Sequence, residues 1–167
     1  MIKKIVLVLL FALPVSLMAQ DKLGYVNIQE IFQVMPDLTE IEKSIADMNE
    51  QYKKELDVMY QEYYAKAKEY QDNLNTMAET IKARRQSEIV DLEKRIGTFQ
   101  QQANEEMQRK QMELIQALRE KILKATGEVG AESNYTYIFD ISSQSIAYHS
   151  PKAVDVTPLV KKKLGLK

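Results

Sequence analysis

Cysteine is absent from the 167 residues, histidine occurs once, and there are only five glycines and four prolines. Without a thiol the chain can form no disulfide, run no thiol redox chemistry and carry no lipid on a lipoprotein cysteine, so its stability has to come from packing or assembly. The lone histidine, His149, excludes a His-based triad or a His-rich metal site built from one chain, and a strand-edge or interface position is expected for it. No glycine-rich phosphate loop, nucleophile elbow or fixed carboxylate pair occurs either, so neither an enzyme nor a cofactor site is read from the sequence.

Long apolar runs are also missing, with one short exception. Lys3 and Lys4 precede an apolar stretch at 5–13, and Ala19 is a small residue ahead of a plausible cut, which together describe a secretory signal peptide over residues 1–19 and hence export. The alternative is a retained N-terminal anchor helix, for which the run is short. Loss of Lys3 and Lys4 on cleavage takes the formal charge from −1 to −3. A mildly acidic mature chain argues against a nucleic-acid partner.

What is present is an apolar repeat in steps of three and four: Leu38, Ile41, Ile45, Met48, Tyr52, Leu56, Met59, Tyr63, Ala67, Tyr70, Leu74 and Met77. Almost free of helix breakers, it predicts one long helix with a coiled-coil seam. A second seam follows through Ile89, Leu92, Ile96, Phe99, Ala103, Met107, a polar Lys110, Leu114 and Leu118. Antiparallel pairing requires facing residue numbers with a constant sum, and Tyr63 with Leu92, Met59 with Ile96, Tyr52 with Ala103 and Ile41 with Leu114 all give 155. The tip is expected within 73–80, where Asn73 and Asn75 suit a turn and Thr76 with Glu79 reads as a capping box for the second helix.

The segments on either side supply a small base. Residues 22–28 are a strand candidate leading to Asn27 as N-cap of a short helix over 29–34 that stops before Pro36. Residues 135–141 are β-branched and aromatic, 142–145 a turn and 146–149 a further strand candidate; Thr157 as N-cap and Pro158 then open a helix to about Leu164. The division is therefore a base from 20–36 and 132–167, and an arm over 37–131. So small a base leaves sheet edges open, and edge strands from several copies can close a common barrel. Tyr25, Tyr137, Phe139, Ile146 and Tyr148 are the candidate assembly residues.

On the arm, Tyr60 and Tyr64 lie one turn apart and off the seam. Either they broaden the hairpin contact, or with Met59 and Met77 they offer adaptable contact area to a bound chain. Lys82, Arg84 and Arg85 form a basic cluster beside the tip, suited to touch anionic lipid or a bound protein, or simply to be solvated charge. Other charges, such as Glu50 with Lys54, read as solvated i,i+4 faces.

The opening GYVNIQEIF (24–32) and closing YIFDISSQSIAYHSPKAVDVTPLV (137–160), with Asp140, Ala147-Tyr148 and Asp155-Val156-Thr157 in place, resemble the Skp/OmpH family of periplasmic chaperones for outer-membrane proteins. The resemblance covers the whole mature chain, although the arm matches only as generic coiled coil. It implies an α+β, mostly α protein: a trimer whose strands form a β-barrel body and whose three hairpin arms surround a cavity holding unfolded outer-membrane proteins without ATP. One feature departs from it, since well-known members are strongly basic. From a different class, the alternative is a structural scaffold of the cell envelope whose arms are spacers and whose exposed aromatics bind one specific partner.

Overall fold

The structure is a computed structural model and describes residues 21–143 and 145–166. The expected leader at 1–19 lies outside the described residues. Strand β1 (Leu23–Val26) leads into helix α1 (Ile28–Gln33), and two long helices follow, α2 (Pro36–Asp72) and α3 (Glu79–Glu132). Strand β2 (Tyr137–Asp140), the two-residue strand β3 (Val154–Asp155) and helix α4 (Thr157–Lys163) complete the chain.

Helices α2 and α3 form the antiparallel hairpin. Every seam residue except Leu74 is buried or half-buried. Tyr52 packs edge-on against Phe99 with ring centroids 5.9 Å apart, and its hydroxyl lies against Glu106. These partners flank Ala103 by a helical turn on each side, which puts Tyr52 opposite Ala103. Nearer the turn, Lys66 meets Glu88 at 3.9 Å and Arg85 meets Glu69 at 3.6 Å, both within one residue of that register. Yet α2 has no fully buried residue along its whole length. Two helices alone enclose little: on the facing helix only Leu92, Ile96 and Ala103 are buried along the arm, and most of the ribbon's other apolar groups stay in reach of solvent.

The turn is built differently from the expected capping box. Asn73 ends α2, with its side-chain amide donating to the Glu69 carbonyl at 2.9 Å, and the Thr76 hydroxyl donates back to the Asn73 carbonyl at 3.1 Å. Thr76 is therefore used by the turn. Ala78 is the N-cap of α3 without a side-chain bond, and Glu79 holds Lys82 at 2.7 Å.

The core lies in the base, where the last turns of α3 enter it. Val26, Ile28, Ile31, Met35, Leu118, Ile122, Ala125, Val129, Val156 and Val160 form one buried cluster drawn from β1, α1, the C-terminal part of α3, α4, and the cap residues Met35 and Val156 that precede α2 and α4. Both closing helices end in Schellman motifs. After α3, Asn134 takes a positive φ of 55° while the Tyr135 and Asn134 amides donate to the Gly130 and Ala131 carbonyls; after α4, Gly165 does the same with φ 75°.

The sheet is all parallel, in the order β2-β1-β3. Gly24 is required on the central strand, because a Cβ there would come within 2.9 Å of the Tyr135 ring and 3.2 Å of Val156. Residues 146–149 are not a strand, contrary to expectation. After β2 the chain crosses the outer face of the sheet to reach the far side of β1, so it cannot run alongside a strand, and the third strand is Val154–Asp155 instead.

The N-caps of the two short helices in the base are split between one agreement and one correction. Asn27 Oδ1 accepts from the Glu30 amide at 3.1 Å and caps α1 as expected. Thr157 does not cap α4 with its own hydroxyl: Asp155 Oδ1 accepts from the Thr157 amide at 2.8 Å, and the buried Thr157 hydroxyl accepts from the Asn27 amide. Lys161 and Lys163 then hold α4 to Glu30 of α1 and to Glu128 and Glu132 of α3.

Candidate binding arm and assembly face

Strand alternation sends Gly24, Val26 and Ile138 toward the core and the intervening residues outward. Register pairs Leu23 with Tyr137 and Tyr25 with Phe139, so one face of the sheet carries a block of apolar and aromatic side chains. Tyr137 and Phe139 stack at 5.9 Å and are 61% and 43% exposed. The pair is stacked on itself and otherwise turned largely to solvent. The crossing loop covers part of this face. Its His149 packs on Tyr25 at 4.7 Å, the half-buried Ile146 reaches the same hollow of about 270 Å³, and Tyr148 beside them is 79% exposed. All five candidate assembly residues thus meet on one face. Leu23 belongs with them and was missed, although its i,i+2 spacing from Tyr25 carried the signal.

On the arm the candidates divide by burial. Met59 and Met77 are half-buried, the first in the seam and the second at the turn. Tyr60 is half-buried and lines a shallow cleft with Tyr63, Ile96 and Gly97, whereas Tyr64 is 64% exposed. The rings nevertheless form one group, with Tyr60 stacked on Tyr64 at 6.2 Å and Tyr63 edge-on to Tyr64 at 5.5 Å. Tyr60 therefore broadens the hairpin contact while Tyr64 presents its ring to solvent.

The basic cluster is matched by acids. Lys82 holds Glu79, Arg84 Nε lies 3.1 Å from Glu88, and Arg85 reaches both Glu88 at 3.0 Å and Glu69 across the hairpin. Arg85, then Arg84 and Lys66, hold the Glu88 carboxyl below the usual range against the opposing effect of desolvation. Lys54 does the same for Glu50 lower on the arm. The Glu106 carboxylate beside it pushes the Tyr52 hydroxyl up, and Glu132 and Glu128 raise Lys163. These shifts record ion pairs and hydrogen bonds along an exposed surface. No group of three metal-ligating side chains exists among the described residues, and no described helix is long and apolar enough to cross a membrane.

The chaperone protein Skp of Pectobacterium atrosepticum is 24% identical to this chain over 156 residues, covering 93% of each. The family described as outer membrane protein (OmpH-like) matches residues 22–164, from the residue before β1 to the end of α4. Base and arm both fall within that match, and the chain belongs to the OmpH-like family.

Proposed function

We propose that this protein is an ATP-independent holdase of the periplasm, which binds unfolded outer-membrane proteins, keeps them from aggregating and releases them when insertion into the outer membrane becomes more favourable. Family membership supports the coarser reading of a chaperone for outer-membrane proteins. The observation that carries the finer one is the arm itself: a two-helix ribbon with no fully buried residue in α2, along which tyrosine and methionine side chains stay half-exposed. Such groups give large, adaptable and weakly directional contact, which suits clients that share no sequence. Capture is then an equilibrium without catalysis.

The same reading makes the working unit a homotrimer. The sheet leaves β2 and β3 as open edges and Leu23, Tyr137 and Phe139 exposed beside the half-buried Tyr25, and three copies closing a barrel would pair the edges and bury that face together. A leader at 1–19 fits export. Contact of the tip with an anionic membrane surface through Lys82, Arg84 and Arg85 is secondary here, because those cations already hold carboxylates. The mildly acidic mature chain supports no nucleic-acid partner.

Client range separates a holdase from an envelope scaffold. Several denatured barrel proteins of unrelated sequence should bind with similar affinity; a single folded partner with no affinity for denatured barrels would establish the scaffold instead.

A further inference from the structure

Methionine is where this chain can be oxidised at sulfur, since it has no cysteine. Met1 and Met18 fall in the expected leader, Met35 lies in the base, and Met48, Met59, Met77, Met107 and Met112 lie on the arm. Their surroundings differ. Met35 is 3% exposed within the core cluster, whereas Met112 at 66% is open to water. Met107 precedes Met112 by about 140° around the helix and is half-buried in the seam. Met48 on α2 is half-buried as well, and its number sums with that of Met107 to 155, so the two side chains face each other across the hairpin.

Met107 is reached from solvent, because it lines an opening of about 570 Å³ between α2 and α3 together with Ile41, Ile45, Asn49 and Gln111. A peroxide is little larger than a water molecule and enters such a space freely. The helices here are also weakly tied. Among the described residues, the ion pairs joining α2 to α3 are Lys121 with Asp37 at the root and Lys66 with Glu88 and Arg85 with Glu69 near the turn. Lys110 does not bridge, since it holds Glu113 of its own helix at 3.2 Å. Between Ile41 and Met48 the hairpin therefore closes on half-buried apolar contact. Met59 differs: it faces the buried Ile96, beside the buried Leu92 and the ion pairs near the turn.

We propose that Met107 is an oxidation site for hydrogen peroxide, and that its conversion to the sulfoxide parts the two helices at the root of the arm. The sulfur lone pair attacks one peroxide oxygen, and the S–O bond forms as the O–O bond breaks. The departing hydroxide takes the proton left on the sulfoxide oxygen and becomes water. Sulfur loses two electrons and the peroxide gains them. The product is polar and chiral where the thioether was apolar and adaptable. Against Met48 the new oxygen has to keep its water, which a closed seam excludes, so the helices part to hydrate it. Met112 oxidises too, but its sulfoxide is already in water and leaves the seam intact. Sulfoxide reductases return the thioether, which makes the change reversible.

Peptide mapping and hydrogen exchange, both read by mass spectrometry, test this on the mature assembled protein after graded hydrogen peroxide. Met112 should oxidise first without changing exchange. Met107 should follow while Met35 stays unmodified, and its sulfoxide should bring about fivefold or more faster amide exchange over 41–48 and 104–114. Met107→Leu keeps the volume and removes the oxidisable sulfur, so it should hold its untreated exchange rate after the same exposure, whereas Met112→Leu should loosen like the parent. A methionine sulfoxide reductase added to the oxidised parent should bring the slow rate back. The proposal fails if Met107 stays reduced at a peroxide dose that fully converts free methionine in the same tube, if its sulfoxide leaves exchange unchanged, or if Met107→Leu loosens as much as the parent. Loosening that persists once the reductase has returned Met107 to the thioether would overturn it equally.

Discussion

The Thr157 hydroxyl accepts a hydrogen bond from the Asn27 amide at 3.0 Å, joining residues 130 positions apart. Asn27 is the N-cap of α1 and Thr157 the first residue of α4, so one contact fastens the first helix of the base to the last. Asp140 adds to the junction by accepting from the Ile28 amide at 3.4 Å and from Ser142. The arm departs from and returns to this knot.

Thr157→Val keeps the shape of the side chain and leaves the Asn27 amide without its acceptor. The change should cost about 1–3 kcal/mol, the penalty for a donor left unsatisfied away from water. A urea midpoint measured by circular dichroism should fall accordingly, with Thr157→Ser restoring most of the loss. An unchanged midpoint in Thr157→Val would show that water replaces the hydroxyl.

Acid should loosen the distal arm before the base. Arg85, with Arg84 and Lys66, holds Glu88 below its ordinary value, so its folded-state pKa lies under the unfolded one. The stability it contributes is present above the unfolded value, near ~4.3, and is lost as pH falls through the folded one. Between about pH 5 and pH 3 the parent should lose arm stability that Glu88→Gln lacks throughout, read as hydrogen exchange of amides flanking the turn. Parallel pH profiles in both proteins would contradict this.

Tyr64 and Phe139 should separate client binding from assembly. Tyr64→Ala, alone or with Tyr60→Ala, removes exposed aromatic contact worth about 0.5–1.5 kcal/mol per ring, so the double change should weaken client affinity by roughly tenfold. Assembled mass should be unaffected. Because Tyr60 also lines the cleft beside Tyr63 and Gly97, the single Tyr64→Ala variant is the cleaner test of client contact. Phe139→Ala should do the reverse, lowering the mass seen by sedimentation equilibrium at micromolar concentration while the protomer keeps its helices. A fully assembled Phe139→Ala protein would remove that residue from the assembly face.

The arm was legible in the sequence because its signal is periodic: each seam residue repeats the same demand, and the constant sum of 155 places Tyr52 opposite Ala103 from the residue numbers alone. The base was legible only where its determinants are local. Asn27 caps the helix beside it, and Gly24 to Val26 alternate as a half-buried strand should. Thr157 was misread because its hydroxyl finds its partner on the distant Asn27, while Asp155 supplies the local cap. The strand at 146–149 was misread for a related reason. Ile146 and Tyr148 have the residue types of a strand, but the path from β2 to β3 carries them across the sheet. Tyr25, Tyr137 and Phe139 were legible as one face because their i,i+2 alternation on short strands is a local signal.

The holdase account is tested most directly by light scattering of a urea-denatured outer-membrane barrel protein diluted into buffer with and without this protein, with no nucleotide present. It predicts that scattering is suppressed at near-stoichiometric amounts of the assembled protein, equally for barrels of unrelated sequence. Aggregation at the same rate and extent with the protein present would contradict it.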